Sequence, residues 1–474
     1  MGIKKSLVFF ILLLLLFNLA RAETEEFTQG LENLSLQEAL ELMKRDNLEL
    51  KISKFNEQIK AYETKVANGY SLGKADVTVE DAYSNDAGNV FGFKLKSREA
   101  DFGDFGAEEF MNNMGACQNG DMEACGAMYN DPPNNLNYPD ARNHFQTTFK
   151  YAVPLYTGGK LEQYKRISKS LEKMSKLDTK KLLNEKIFQT TKTFYDISLV
   201  EDYITYLSNI ISNIERLEDI VSSMREEGYA KEIDQLEVQA RKSEVQSMLN
   251  QAYFNKKLAY QYLSFLINQD VSSIQVVNDA PPIPEINKDE IHQNNLDIQK
   301  AKLGLKITDM AIKVQESALL PEVGAMAEYG SSDNTPLNKF FKKDFYTVGV
   351  QAKWTLFDGD INRNNVEKAK TEYLKTQEQV NLAKKGIYLK VRKTVTEIKS
   401  KEAEIESLEK QLEFAKKVYE TYQAEYKEGL KSISDVLIKQ SKQLEVLLKL
   451  LTAKNKRNTK IFELKSIINE GEEI

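Results

Sequence analysis

One stretch of the sequence, residues 356–435, limits the possible folds more than any other. Between Gly359 and Gly429 it contains no proline and only one further glycine, Gly386. Because proline and glycine are the residues that most readily end a helix, nothing here forces the chain out of one long helix. At about 1.5 Å per residue, that helix is roughly 100 Å long. A globular domain of this size does not need such a rod.

The spacing of apolar residues along the rod predicts how it packs. These residues recur at alternating steps of three and four, which is typical of the narrow seam of a coiled coil. The seam consists of Ile405, Leu408, Leu412, Ala415, Val418 or Tyr419, Tyr422 and Tyr426. The other positions are mainly Lys, Glu and Gln, and we expect them to face water.

The same rod occurs twice in the chain. Residues 155–158 (LYTG) match residues 356–359 (LFDG) at an offset of 201 positions, and Glu227-Gly228 matches Glu428-Gly429 at the same offset. A residue gained or lost between these landmarks would rotate the seam side chains off their partners. We therefore interpret the chain as an internal duplication.

Residues 1–22 have the features of an export signal. A positive start is followed by an apolar run at residues 7–17 and by the small-x-small sequence ARA at residues 20–22. The apolar run is short for a membrane span, although an uncleaved N-terminal anchor is the alternative. We expect the mature chain to begin at Glu23, and no cysteine follows there to carry a lipid.

The charge balance argues against nucleic acid as a partner. The chain has 65 basic and 71 acidic residues, a net charge of −6, and a nucleic-acid partner would require a basic face. No stretch after the signal approaches 18 uninterrupted apolar residues, so no transmembrane helix is expected. If this chain crosses a membrane, it does so as strands.

The residues that usually carry enzyme or metal chemistry are scarce. Only two histidines occur, His144 and His292. Residues 157–160 (TGGK) lack both the first glycine of a phosphate-binding loop, at its required spacing, and the Ser or Thr after the lysine. We expect no enzyme activity, no cofactor and no metal site. Cys117 and Cys125 are the only cysteines. In an exported chain they favour a small disulfide loop, and the alternative is two unpaired thiols.

Alternating apolar and polar residues predict two strands before each rod. Between the first two strands lies a region rich in Gly, Asn, Asp and aromatic residues without a sustained period, which we interpret as a large loop. The first predicted repeat covers residues 23–280, with strands at about 75–85 and 142–153, a long helix at 160–227 and a return helix at 231–268. The second covers residues 281–474, with strands at about 322–330 and 345–356, a long helix at 360–428 and a return helix at 432–470.

The number of strands bears on assembly. Four strands of about ten residues are long enough to cross an outer membrane but too few to close a barrel, and an open sheet edge is not viable in lipid. Closure then requires other copies of the chain. Two copies give eight strands, whose interior is filled by side chains, and three give twelve, enough for a pore.

Several segments, in order along the chain, resemble the TolC-like outer-membrane efflux proteins. They are LSLQEALELMKRDN, VFGFKL with ADF and LNYPDARNHF, PLYTGGKL, LPEV, WTLFDGD and YKEGLKSISDVL. The resemblance implies a mainly α fold with a small β part: a homotrimer with a twelve-stranded barrel in the outer membrane of a Gram-negative-type cell and a long periplasmic α-helical coiled-coil barrel. It also implies a passive channel, contact with outer-membrane lipid, and docking to a periplasmic adaptor and an inner-membrane pump for efflux or type I secretion. The chain differs from the family at Asp360, where a second glycine is common, and around the two cysteines.

The resemblance also assigns roles to the turns that follow the rods. The turn residues Gly228, Tyr229, Gly429 and Leu430 would dock the adaptor, and without that role they are plain breaks between helices. Around the periplasmic aperture, Tyr426 and Lys431 match positions that tie the tip shut, while Asp234 and Asp435 would ring the opening. The alternative for both aspartates is a favourable charge at a helix start. Ile438 stands where the family has a second acidic residue.

A function of another class remains open from the sequence. A secreted periplasmic coiled-coil scaffold, or a pump adaptor without a pore, would also explain the rods. It would leave the four alternating strands without a purpose.

Overall fold

The computed structural model describes residues 30–469, except 278, 288–290, 292 and 337–338. The predicted export signal and His292 lie outside the described residues. The chain divides into two compact units. The first contains the described residues up to Gln58, Met174–Leu303 and the described residues from Glu378 onward, and the second contains Ile59–Lys173 and Gly304–Gln377.

The described residues form a mainly helical fold with four strands, as the sequence predicts. In chain order the elements are α1 (Leu36–Asp46), α2 (Leu48–Gly69), β1 (Lys74–Ser84), α3 (Ala87–Lys96), α4 (Ala107–Gln118), α5 (Met122–Asn130), α6 (Asn134–Asn137), β2 (Arg142–Tyr156), α7 (Lys160–Glu226), α8 (Glu232–Ile267), α9 (Leu296–Ser317), β3 (Glu322–Asp333), β4 (Asp344–Lys353), α10 (Ile361–Lys427) and α11 (Ile433–Ile468). Across the part of the chain that is described, no helix is both long enough and apolar enough to span a membrane.

The two repeats have matching helices. The long helices α7 and α10 have 67 residues each, and the return helices α8 and α11 have 36 each. The shorter helices α2 and α9, which precede the strands, have 22 residues each. A seam between helices tolerates no insertion, so equal lengths are what a duplicated coiled coil requires.

In the first unit, apolar side chains of α7, α8, α10 and α11 form one buried cluster. The members include Leu207 and Val221 of α7, Val245 of α8 and Val436 of α11. The contribution of α10 includes Tyr419, which is 3% exposed, so Tyr419 rather than Val418 is the seam residue. Because four helices meet here, this part of the unit is held by tertiary packing of apolar faces rather than by helix propensity.

The second unit holds the sheet, which is antiparallel with the order β1-β2-β3-β4. Strand β2 runs on to Tyr156, past the predicted end at residue 153. The register shifts between Pro154 and Tyr156, and such an irregularity accommodates a residue that has no backbone N–H. Strand β4 ends at Lys353, three residues before the predicted end.

The region between β1 and β2 is not the irregular loop that the sequence suggested. It contains α3, α4, α5 and α6, which have 10, 12, 9 and 4 residues. Helices this short show no sustained apolar period, but polar caps start two of them: Asp86 accepts the N–H of Asn89 at 3.0 Å, and Asp121 accepts that of Glu123 at 3.0 Å. Cys117 of α4 and Cys125 of α5 are joined by a disulfide.

Asp360 precedes the second long helix with a backbone conformation that favours glycine. Its φ is 64°, and the corresponding residue of the first repeat, Gly159, has a φ of 85°. Aspartate tolerates this left-handed region better than most residues, although at a cost in free energy. The departure from the family pattern at Asp360 therefore changes the residue and keeps the turn.

Candidate functional site

The four strands place apolar side chains in rows across one face of the sheet. One row consists of Val77, Phe149, Tyr329 and Tyr346, which are paired in register from β1 to β4. The next consists of Ala75, Tyr151, Ala327 and Val348. Tyr346 is 80% exposed and Val348 74% exposed. Large apolar side chains that stand in rows on an exposed surface indicate contact with a partner or with lipid.

The opposite face of the same strands is polar. Asp76, Lys150, Glu328 and Thr347 form a row that is in register across the sheet. Lys150 therefore lies between two strands that each carry a carboxylate at the same level. Because successive residues of a strand point to opposite faces, this row alternates with the apolar rows. We call the two surfaces the apolar face and the polar face.

Both outer strands of the sheet have a free edge. Among the described residues, β1 pairs only with β2, and β4 pairs only with β3. These strands have 11 and 10 residues. A long edge with unpaired N–H and C=O groups is a template for pairing with another chain.

Aromatic side chains lie where the sheet meets the helices. The Trp354 indole donates a hydrogen bond to the carbonyl oxygen of Leu319 at 3.1 Å, and the Tyr151 hydroxyl donates to that of Leu72 at 2.5 Å. Phe357, three residues after Trp354 in the sequence, is exposed. Tyrosine and tryptophan with one polar end paired and the ring exposed are typical of a membrane–water interface.

The turns after the two long helices have the same geometry. Gly228 has a φ of 83° and Gly429 a φ of 68°, the left-handed conformation in which a helix commonly ends. The next residues, Tyr229 and Leu430, are 77% and 71% exposed. Each repeat therefore presents one large apolar side chain at its turn.

The two aspartates near these turns act as helix caps. An oxygen of the Asp234 carboxylate accepts the N–H of Lys231 at 2.8 Å. Asp435 accepts the N–H and the hydroxyl of Ser432 at 3.3 Å and 2.8 Å, while the Ser432 hydroxyl accepts the N–H of Asp435 at 3.2 Å. This is a capping box. The hydrogen bonds from Ser432 hold the pKa of Asp435 below its usual range.

Tyr426 and Lys431 make different contacts in this chain. Tyr426 is buried in the four-helix cluster, and its hydroxyl has no hydrogen-bond partner among the described residues. Burial and the negative charge of Asp234 raise the pKa of that hydroxyl. The Lys431 ammonium lies 5.1 Å from the centroid of the Tyr422 ring.

Two features of this region have no clear signal in the sequence. Arg241 of α8 is buried and donates through Nε to Oε1 of Gln440 on α11 at 3.0 Å. The Lys439 ammonium also lies over the Tyr422 ring, 4.9 Å from its centroid, so two lysine side chains make cation–π contacts with this ring. Both features depend on which helices become neighbours, and helix periodicity does not reveal that.

No group of three or more His, Cys, Asp or Glu side chains is placed to hold a metal ion among the residues that the structure describes.

Comparisons with known proteins bear on the family and the fold. Residues 288–470 match the family described as outer membrane efflux protein. No curated protein matches the sequence.

Solved structures with the same fold cover nearly the whole chain. The outer membrane channel CmeC of Campylobacter jejuni has 17% identity and a TM-score of 0.74, over 92% of this chain and 86% of that one. The outer membrane protein VceC of Vibrio cholerae has 12% identity and a TM-score of 0.71, over 92% and 95%. The MtrE channel of Neisseria gonorrhoeae has 13% identity and a TM-score of 0.72, over 91% and 88%. The family match therefore covers much of the second repeat, and the whole chain has the fold of these outer membrane channels.

Proposed function

We propose that three copies of this chain join their sheets edge to edge into a twelve-stranded barrel that serves as the outer-membrane channel of an efflux or type I secretion system. The observation that carries the proposal is the pair of free edges, on β1 and β4, in a sheet with one apolar and one polar face. In lipid every backbone polar group needs a partner, so β1 of one copy pairs with β4 of the next.

The two faces decide which surface meets lipid. The apolar face, with the row Val77, Phe149, Tyr329 and Tyr346, faces the membrane, and the polar face lines the pore. Three copies are favoured over two because an eight-stranded barrel is filled by its own side chains. A coiled-coil scaffold or adaptor without a pore would leave this two-faced sheet without a purpose.

The helix turns are the proposed contact with the rest of the pump. Gly228-Tyr229 and Gly429-Leu430 dock a periplasmic adaptor, and an inner-membrane pump works through it. Support comes from the exposed Tyr229 and Leu430, which occupy equivalent places in the two repeats. Six such side chains in a trimer form a repeated apolar contact that suits a symmetric partner.

The aperture is proposed to lie near the same turns. Asp234 and Asp435 approach one another between protomers, and Tyr426 and Lys431 supply the bonds that offset the repulsion between the carboxylates. Cap bonds already engage one carboxylate oxygen of each aspartate. The other oxygen of each is what remains for a contact between protomers.

Two neighbouring arginine substitutions test the pore and its orientation. Val348→Arg places a charge on the apolar face of β4, and Thr347→Arg places one on the polar face, one residue away. A charge on the lipid face near mid-membrane costs roughly 2–4 kcal/mol. We expect Thr347→Arg to reach the outer membrane as a channel with altered ion selectivity in planar bilayers, and Val348→Arg to insert poorly. Equal insertion of both variants, or purified protein that conducts no ions, would contradict the proposal.

A further inference from the structure

The two hairpins of the sheet have very different connections. Residues 85–141, here called the insertion, join β1 to β2, whereas residues 334–343 join β3 to β4. Strands β2 and β4 each run from one of these connections toward the long helix that follows, α7 or α10. Both connections therefore lie at the end of the sheet that is opposite the starts of the long helices. In the proposed channel this end is the outer mouth.

Helix α3 of the insertion packs on the polar face of the sheet. The Phe93 ring stacks on His144 with 4.1 Å between centroids and an interplanar angle of 3°. His144 and Gln146 alternate along β2 with the apolar-face residue Phe145, so they share the face of Lys150. The Lys96 ammonium reaches Oε1 of Gln146 at 3.5 Å. His144 is buried under this contact.

An ionic cluster at the rim of the sheet holds the insertion in this position. Glu99 accepts hydrogen bonds from Arg142 at the start of β2 and from Lys343 just before β4. Lys343 also donates to Asp333 at the end of β3, at 2.6 Å. Burial opposes ionisation of Glu99, but the bonds from Lys343 and Arg142 outweigh it and lower its pKa. One carboxylate thus ties the insertion to both hairpins.

The insertion is also internally braced. The disulfide joins α4 to α5, with Cα atoms 4.8 Å apart. The rings of Phe110 and Tyr129 meet edge to face at 6.0 Å between centroids. Glu109 accepts the N–H of Asn134 at 3.3 Å. These contacts make the insertion a folded body rather than a flexible loop.

From this placement we propose that the insertion turns inward over the polar face and that its three copies form a size-selecting constriction at the outer mouth of the channel. The inference rests on the proposed function, because the polar face is the pore wall only in a closed barrel. A folded, disulfide-braced body on that wall narrows the route for large solutes. Small solutes and ions pass between the three copies.

Cysteine labelling from outside the cell tests the constriction. Lys150→Cys places a thiol on the polar face. A reagent that enters from the outer mouth has to pass the insertion to reach this thiol. Tyr151→Cys places the control thiol on the apolar face. The native cysteines are joined to each other and do not react. Each variant is exposed on intact cells to a small maleimide and to a maleimide carried on a long polyethylene glycol chain.

The same measurement is repeated with the insertion altered. In one variant an Asn-Gly turn replaces residues 86–140. In the other, Phe93→Ala, Lys96→Ala and Glu99→Ala remove the ring stacking, the contact with Gln146 and the ion pairs at the rim, while the insertion stays complete. If the shortened chain does not fold, which heat-modifiable migration on a gel reveals, the triple substitution carries the test.

We expect the small reagent to label the Lys150→Cys variant in every background and the long reagent to label it only when the insertion is shortened or released. Equal labelling by the long reagent in intact and altered protein overturns the constriction and leaves the channel proposal standing. Exclusion of the long reagent from every background also overturns it, since the insertion is then not the barrier. Labelling of the Tyr151→Cys variant with none of the Lys150→Cys variant overturns the proposed function itself.

Discussion

Asn47 and Asn295 make the same two hydrogen bonds in the two repeats, 248 positions apart. The Asn47 amide donates to the carbonyl oxygen of Leu266 at 2.8 Å and accepts the N–H of Leu50 at 3.0 Å. The Asn295 amide donates to the carbonyl oxygen of Ile467 at 2.9 Å and accepts the N–H of Ile298 at 3.1 Å. Both side chains are buried. Each asparagine therefore joins the start of a short helix to the end of a return helix.

Replacing either asparagine by leucine is expected to destabilise the first unit. The change leaves a buried carbonyl oxygen and an amide hydrogen without partners, at a cost of about 1–3 kcal/mol each. Thermal unfolding in detergent measures the loss for Asn47→Leu and Asn295→Leu. The exposed Asn56 of α2 gives the matched control, Asn56→Leu. If all three variants unfold at the same temperature, the two buried asparagines do not hold these helix ends.

The capping box of α11 predicts a pH dependence at the turn. Hydrogen bonds from Ser432 lower the pKa of Asp435 in the folded chain, so the cap stabilises the helix start above the unfolded pKa of about 3.9 and is lost as the pH falls through the lower folded pKa. Ser432→Ala is expected to lower the protection of the amides of residues 432–436 from exchange, and to lower it more at pH 7 than at a pH below the folded pKa of Asp435, where only the bond from the Asp435 N–H to the Ser432 hydroxyl remains to be lost. The corresponding residue in the first repeat is Lys231, which has no hydroxyl, and Lys231→Ala serves as the control. An effect of Ser432→Ala that does not vary with pH would contradict this account of the cap.

The disulfide between Cys117 and Cys125 should leave no reactive thiol in the exported protein. Thiol labelling of unreduced, denatured protein is expected to find none, and reduction should expose two per chain. Two reactive thiols per chain before reduction would contradict the pairing.

The proposed latch predicts changes in conductance with little change in stability. Tyr426→Phe keeps the buried ring and removes the hydroxyl, and Lys431→Ala removes the ammonium above Tyr422. If these groups bond across protomers, the double variant raises single-channel conductance in planar bilayers. Tyr419→Phe, at a buried tyrosine of the same helix, is the control. Unchanged conductance in the double variant would make the latch assignment wrong.

The aspartate ring is tested by charge alone. Asp435→Asn removes the negative charge and keeps a side-chain oxygen that can accept the bonds from Ser432. We expect weaker cation selectivity and weaker block by multivalent cations. If selectivity and block stay as they were, Asp435 serves only to start α11.

The sequence predicts the rods and the strands because each has a period that one segment carries by itself, and it predicts the repeats because matching segments recur at a constant offset. The alternation of Phe145, Thr147 and Phe149, for example, predicts β2 without knowledge of its neighbours. It does not predict that β2 continues past Pro154, because the register shift there depends on pairing with β3.

What the sequence could not predict depends on contacts between distant segments. Helices α3 to α6 are too short to show a period, and only their caps, such as Asp86 and Asp121, signal them. The burial of Tyr426 results from the packing of four helices at one place. The seam pattern of α10 alone predicts only that Tyr426 is one of several seam residues.

The number of chains in the purified particle tests the central proposal most directly. The free edges of β1 and β4 predict a closed ring of chains, and the polar pore wall predicts three of them. Mass measurement of the detergent-solubilised protein, without cross-linking, should give three chains that separate only on heating. A stable monomer or dimer would contradict the account, since the sheet would then keep an open edge or enclose no pore.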